Sequence, residues 1–156
     1  MKILVVYYSR TNTTKKVALT LAEKLDSSIE EVVDKKNRDG VSGWVISGKD
    51  AMQKKLADIE ECKKRVEDYD LVIIGTPVWV GTMTPAIRTY IADNKDKFKE
   101  CALFVTQGGN SDYEIFNDIQ KLTGKNIIAK MKLTTKEVKS DDYDSKINDF
   151  LSKINS

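Results

Sequence analysis

The chain has no histidine. That removes the side chain that most often serves as general base, proton shuttle and metal ligand near neutral pH. Chemistry is left to carboxylates, hydroxyls, backbone groups or a bound cofactor. Cysteine is scarce as well: Cys62 and Cys101 stand far apart, without zinc or iron–sulfur spacing, and neither opens a Cys-x5-Arg phosphatase loop. Such thiols suit a reducing compartment. Charge of one sign is also missing. Lys plus Arg number 26 against 24 Asp plus Glu, a net of +2 with no basic block, too little to argue for nucleic acid. No apolar run reaches the length of a membrane span, and the first residues enter a strand pattern with no leader segment. The expectation is a single cytoplasmic domain over residues 1–156, large enough to bury a core, with neither nucleic acid nor membrane as partner.

What is present is a regular alternation. Ile3–Tyr8, Leu71–Ile74 and Ala102–Val105 are apolar at nearly every position, as in strands covered on both faces of a parallel sheet. Ile29–Val33 and Ile127–Leu133 are weaker strands, the first amphipathic and the second alternating. Helical patterns lie between them. Thr13–Leu25 aligns Val17, Leu21 and Leu25 on one stripe. Ala51–Glu67 is long and charged, with Met52, Leu56 and Ile59 on one side. Pro85–Asp93 opens with a proline where the missing N–H costs nothing. Tyr113–Leu122 and Ser145–Ile154 complete the set. This order predicts an α/β fold: a doubly wound, open five-stranded parallel sheet, order 2-1-3-4-5, with helices on both faces.

Asp34–Lys49 reads as a long, glycine-rich connection, either a lid or a packed surface loop. Lys35, Lys36, Arg38 and Lys49 give it positive charge suited to an acidic partner; the alternative is a loop pinned to the protein body by Trp44.

In such sheets ligands bind beyond the carboxyl ends of the strands, at the point where the strand order reverses. Three unusual loops converge there. The first, Ser9-Arg10-Thr11-Asn12-Thr13-Thr14, opens a helix with four hydroxyls and an amide. Hydroxyls and free N–H groups at a helix N-terminus form a phosphate cradle; simple capping is the plainer alternative. The pattern lacks the glycines and lysine of a P-loop, so a monophosphate fits better than a triphosphate. The second, Gly75-Thr76-Pro77-Val78-Trp79-Val80-Gly81 with Pro85, offers Trp79 either to stack on a flat ring or to fill the core. The third, Thr106-Gln107-Gly108-Gly109-Asn110-Ser111-Asp112-Tyr113, has paired glycines that admit a ligand edge close to backbone N–H groups; a turn ending in a helix cap is the alternative.

Taken together, the three loops resemble those of flavodoxin-like proteins. That resemblance implies FMN as cofactor. Ser9, Arg10, Thr11, Asn12, Thr13 and Thr14 would form the phosphate loop, with Arg10 directed outward. Thr76, Pro77, Val78, Trp79, Val80 and Gly81 would line one side of the isoalloxazine, and Thr106, Gln107, Gly108 and Gly109 would approach its pyrimidine edge. Asn12 stands where the family usually carries glycine, and asparagine tolerates the left-handed backbone such a turn needs. The implied function is electron transfer with redox partner proteins. Alternatives are an FMN-dependent NAD(P)H reductase of quinones or similar acceptors, and a non-redox binding domain on the same fold. A response-regulator receiver is disfavoured, because Tyr7, Tyr8 and Ser9 stand where it needs acids.

Overall fold

The computed structural model describes residues 1–36, 38–109 and 114–156. Five parallel strands form one sheet: β1 Ile3–Tyr7, β2 Ser28–Glu31, β3 Leu71–Pro77, β4 Glu100–Gln107 and β5 Ile127–Thr134. Their spatial order is β2-β1-β3-β4-β5, as the alternation predicts. β1 lies between β2 and β3, with Tyr7 in register with Glu31 on one side and Gly75 on the other. Continuously apolar strands follow from this burial, because successive side chains enter different cores. Leu4, Val6 and Tyr8 join one core and Val5 and Tyr7 the other; along β4, Leu103 and Val105 alternate with Ala102 and Phe104.

The first core is closed by α3 (Pro85–Asn94) and α4 (Ile115–Thr123), the second by α1 (Thr13–Leu25), α5 (Thr135–Lys139) and α6 (Asp144–Ile154). The expected start of the fourth helix, Tyr113, lies outside the described residues. Short α5 is absent from the sequence reading. It begins with a reciprocal cap between Thr134 and Glu137, a Thr-x-x-Glu signature present in the sequence. Among the described residues no helix is long and apolar enough to cross a membrane.

The second helix differs from expectation. α2 runs over Gly40–Met52, taking in most of the Asp34–Lys49 segment expected to be a loop and the first two residues of the expected helix, whereas the rest of Ala51–Glu67 is not helical, apart from a short 3-10 turn over Val66–Asp68. The charged segment contains good helix formers, but its apolar stripe does not pack as one face: Ile59 reaches the first core while Met52 and Leu56 stay exposed. It is instead held by long-range bonds that a helix would break. The N–H of Lys35 donates to the carbonyl of Asp58, that of Glu60 to Val33, and that of Lys63 to the Glu30 carboxylate. Conversely, α2 carries three glycines and weak intrinsic propensity, and side-chain anchors on one face hold it in place.

Those anchors centre on Arg38, whose side chain is 3% exposed. It donates from Nε to Asp34 Oδ2 at 2.6 Å and from Nη1 to Asp50 Oδ2 at 3.1 Å. Lys36 also donates to Asp50, at 2.9 Å. Burial by itself would raise the Asp50 carboxyl, but the Lys36 and Arg38 hydrogen bonds outweigh it and hold the group below the usual carboxylate range. Gly43 lies flat on Arg38: a Cβ there would meet the Arg38 carbonyl carbon at 2.2 Å.

Two parts of the expectation for this segment need correction. Arg38 is buried on internal carboxylates and is no surface cation, whereas Lys35 and Lys36 are about half exposed, paired with Asp58 and Asp50, and Lys49 is exposed. Trp44 does not pin the segment, since it is 65% exposed. Asn37 lies outside the described residues.

Candidate functional site

The carboxyl ends of β1, β3 and β4 lead into a cavity of about 230 Å3. Its first wall comes from the loop after β1: Arg10, Thr11, Thr13 and Thr14. The turn into α1 is made by Asn12 at φ 67°, ψ 1°, a left-handed conformation. Asparagine accepts that geometry where most residues would not. Its side chain makes no capping bond, so the plain capping alternative does not account for Asn12. The Ser9 hydroxyl instead accepts from the Lys15 N–H at 3.2 Å. The N–H groups that open α1, those of Thr13 and Thr14, have no intrahelical acceptor.

These side chains differ in their freedom. Thr11 is exposed, whereas Thr14 is buried and its hydroxyl shares a hydrogen bond with that of Thr106 at 2.8 Å. Arg10, expected to point outward, is half-buried and donates to the Arg38 carbonyl at 3.3 Å.

The second wall is Pro77, Val78 and Trp79. Trp79 and Thr82 exchange backbone hydrogen bonds at 2.9 and 3.1 Å. Val80 at φ 49° and Gly81 at φ 77° form the two-residue turn between them, the type that needs positive φ at both positions. This hairpin carries the indole out from the sheet edge. Tyr8 meets the Trp79 ring edge-on at 5.5 Å, and the Arg38 guanidinium lies 5.6 Å from its centroid. Trp79 is thus core packing on one side and cavity wall on the other. Burial, with Asp34 nearby, pushes the Tyr8 phenol up to about 12. Thr76 is fully buried beneath the loop; its hydroxyl donates to the Pro77 carbonyl and accepts from the Thr84 N–H, which braces the turn.

The third wall is Thr106, Gln107 and Gly108. Gln107 is buried, and its Oε1 has no hydrogen-bond partner among the described residues. A buried unpaired acceptor is costly in a finished fold, so it marks a place for a donor from outside the chain. Gly108 and Gly109 have no positive φ, and a Cβ on either would meet nothing within 4 Å. The protein's own packing therefore does not require glycine here, while a ligand lying against the backbone would. Asn110, Ser111 and Asp112 lie outside the described residues.

Two further residues join this cavity: Thr135, at the start of α5, which the sequence does not single out, and Trp44, on α2, in the segment for which a lid is one of the two expectations. The Thr135 hydroxyl donates to the Gln107 carbonyl at 3.3 Å. Ser9, Asn12, Thr76, Gly81 and Gly109 shape the loops without lining the cavity. Beside it lies a second, apolar cavity of about 380 Å3, which shares Arg10, Trp44, Val78 and Trp79 and adds Val45, Met52 and Val80. The site thus passes from a hydroxyl-rich end at α1 to an apolar, aromatic end at α2.

Comparison with known proteins agrees with this architecture. The family model described as Flavodoxin matches residues 2–150. A flavoprotein from Lactobacillus acidophilus NCFM, crystallised in complex with FMN, is 28% identical with a TM-score of 0.72, covering 89% of this chain and 97% of its own. The apo-form of the flavoprotein from that organism, solved by NMR, is 27% identical with a TM-score of 0.68, covering 84% of this chain and 91% of its own. Oxidised Flavodoxin 2 from Bacillus cereus shares the fold at 17% identity and a TM-score of 0.63 over 99% of both chains. No curated protein matches. With nearly the whole chain covered by the family model, this protein belongs to the flavodoxin family.

Proposed function

We propose that this chain is a single-domain cytoplasmic flavoprotein that binds one FMN and passes electrons between partner proteins. One observation carries the reading: a hydroxyl-lined cradle at the N-terminus of α1 adjoins an apolar cavity, and the two share Trp79, Val78 and Trp44 as walls. FMN has that polarity along its length. Support also comes from the FMN complex of the Lactobacillus acidophilus relative. The free thiols Cys62 and Cys101 fit a reducing compartment.

The roles follow from the geometry. The N–H groups of Thr13 and Thr14, with the positive end of α1, hold the phosphate. Thr11 adds an exposed hydroxyl donor, and the buried Thr14 hydroxyl, which shares a hydrogen bond with that of Thr106, braces the cradle from beneath. Gln107 presents its unpaired carbonyl oxygen to a donor on the cofactor, and Gly108 leaves room for that edge to approach. Trp79 supplies a flat wall, steadied by the edge-on Tyr8 ring and the Arg38 guanidinium. FMN itself supplies the redox chemistry when bound, and the chain supplies position and electrostatics; the lack of histidine is then no handicap. Anaerobic mixing of the photoreduced holoprotein with NADP+ or NAD+, and of the oxidised form with NADPH or NADH, separates carrier from reductase. A carrier exchanges electrons with neither at a useful rate, and steady NAD(P)H consumption with a quinone would assign the reductase activity instead.

A further inference from the structure

α2 is amphipathic in the reverse sense. Gly43, Ser47, Asp50 and Ala51 face inward, while Val41, Trp44, Val45 and Met52 are exposed. Spacings of three, four and seven place these four on one outward stripe. No residue of α2 belongs to either hydrophobic core of the described residues. The helix is held by polar anchors: Asp50 on Arg38, and Ser47, which lies 3.4 Å from the same guanidinium and donates to the Gly43 carbonyl. A buried ion cluster is a costly way to dock a helix, and here it leaves the apolar side out.

That side does not face open solvent along its whole length. Trp44, Val45 and Met52 form one wall of the apolar cavity, and Val78, Trp79 and Val80 form the opposite wall. The two walls meet where a Cβ on Gly48 would lie 3.3 Å from Val80 Cγ2. Trp44 also lines the hydroxyl-rich cavity, as Trp79 does, so two indoles are common to both cavities.

We infer that the flavin ring lies between Trp79 and Trp44, with α2 supplying the wall that faces the Trp79 hairpin. This rests on the FMN reading above and adds a ring-recognition site independent of the phosphate. Trp44 is a binding residue for the tricyclic ring, and the Arg38–Asp34–Asp50 cluster positions it. Because the ring and not the phosphate is recognised there, riboflavin occupies the same place.

The test uses apoprotein of the full chain, titrated with FMN and separately with riboflavin, and read by quenching of flavin emission. An aromatic partner contributes enough that Trp44→Ala should weaken both flavins by about tenfold and by the same factor, while Trp44→Phe restores most of the affinity of each. Being exposed, Trp44 can be changed without loss of folding, which a thermal melt of each variant verifies. Thr11→Ala, as a control, should weaken FMN alone. Unchanged affinity of Trp44→Ala for both flavins, or a loss confined to FMN, overturns the inference while leaving the FMN reading intact. Failure of the unaltered chain to bind either flavin overturns the FMN reading itself.

Discussion

Replacing Arg38 by methionine keeps the side-chain length and removes its charge. In the parent, the guanidinium is buried against Asp34, itself 3% exposed, and Asp50, 9% exposed. Removing one partner of a buried ion pair leaves a charge uncompensated, at a cost of about 3–5 kcal/mol. Asp50 keeps its bond from Lys36 at 2.9 Å. Asp34, among the described residues, keeps the Lys36 backbone N–H, at 2.9 Å. With both carboxylates partly satisfied, the loss belongs near the lower end, about 3 kcal/mol. For a domain of this length 1 kcal/mol moves Tm by roughly 2–4 °C, so the variant should melt about 6–12 °C lower. Thermal unfolding followed by far-UV circular dichroism measures this directly. The sign of the pH dependence is fixed by Asp50, whose folded pKa lies below the ordinary value. Its contribution is therefore present above the ordinary carboxylate range and is lost as pH falls through the depressed value. The gap between parent and variant should be widest near neutrality and close in acid. A variant that melts with the parent, or a gap that widens in acid, refutes the claim that this cluster holds α2.

Other consequences are open to measurement. Thr11→Ala should weaken FMN by about tenfold, from the loss of one hydrogen bond to a charged group worth about 1.5–3 kcal/mol, and leave riboflavin unaffected; isothermal titration with each flavin checks this. Val80→Asn should raise stability by about 0.5–1 kcal/mol in urea unfolding, because valine is held at φ 49°, where a β-branched residue is strained and asparagine is tolerated. Gly43→Ala should lower stability by about 1–3 kcal/mol, since its Cβ would meet the Arg38 backbone at 2.2 Å. Tyr8, pushed up to about 12 by burial and then by Asp34, should stabilise the fold fully below the ordinary tyrosine value and lose that contribution as pH rises toward 12. Tyrosinate absorbance in alkaline titration of Tyr8→Phe against the parent reads that shift.

The sheet was legible because burial on both faces leaves a plain mark: β1, β3 and β4 have almost no polar residue in their centres. α1 was legible to its ends, Thr13–Leu25, because one stripe packs on the sheet. α2 was not, for a physical reason. Its inward face is Gly43, Ser47, Asp50 and Ala51, which pattern alone reads as solvent-facing, and its partner Arg38 looks like a surface cation until Asp34 and Asp50 are brought to it. The Ala51–Glu67 segment fails in the opposite sense: its helical periodicity is real, but Ala57 is tied to the Thr89 hydroxyl through both backbone N–H and carbonyl, and bonds with Lys35 and Val33 draw the chain straight. At the site, the three loops were legible as chemistry. The internal duties of Thr76 and Thr14 were not, since a threonine bonding beneath a loop and one facing a ligand read alike in sequence. Trp44 carried no positional signal, because its place depends on a helix that its own glycines obscure.

The central claim, that this chain is an FMN protein, is tested most directly by the visible absorption spectrum of the purified full-length chain, with any released flavin identified by mass. The expected result is a yellow protein carrying one FMN per chain, or a colourless one that takes up FMN stoichiometrically on addition. A chain that is colourless as purified and leaves the spectrum and emission of added FMN unchanged would contradict it.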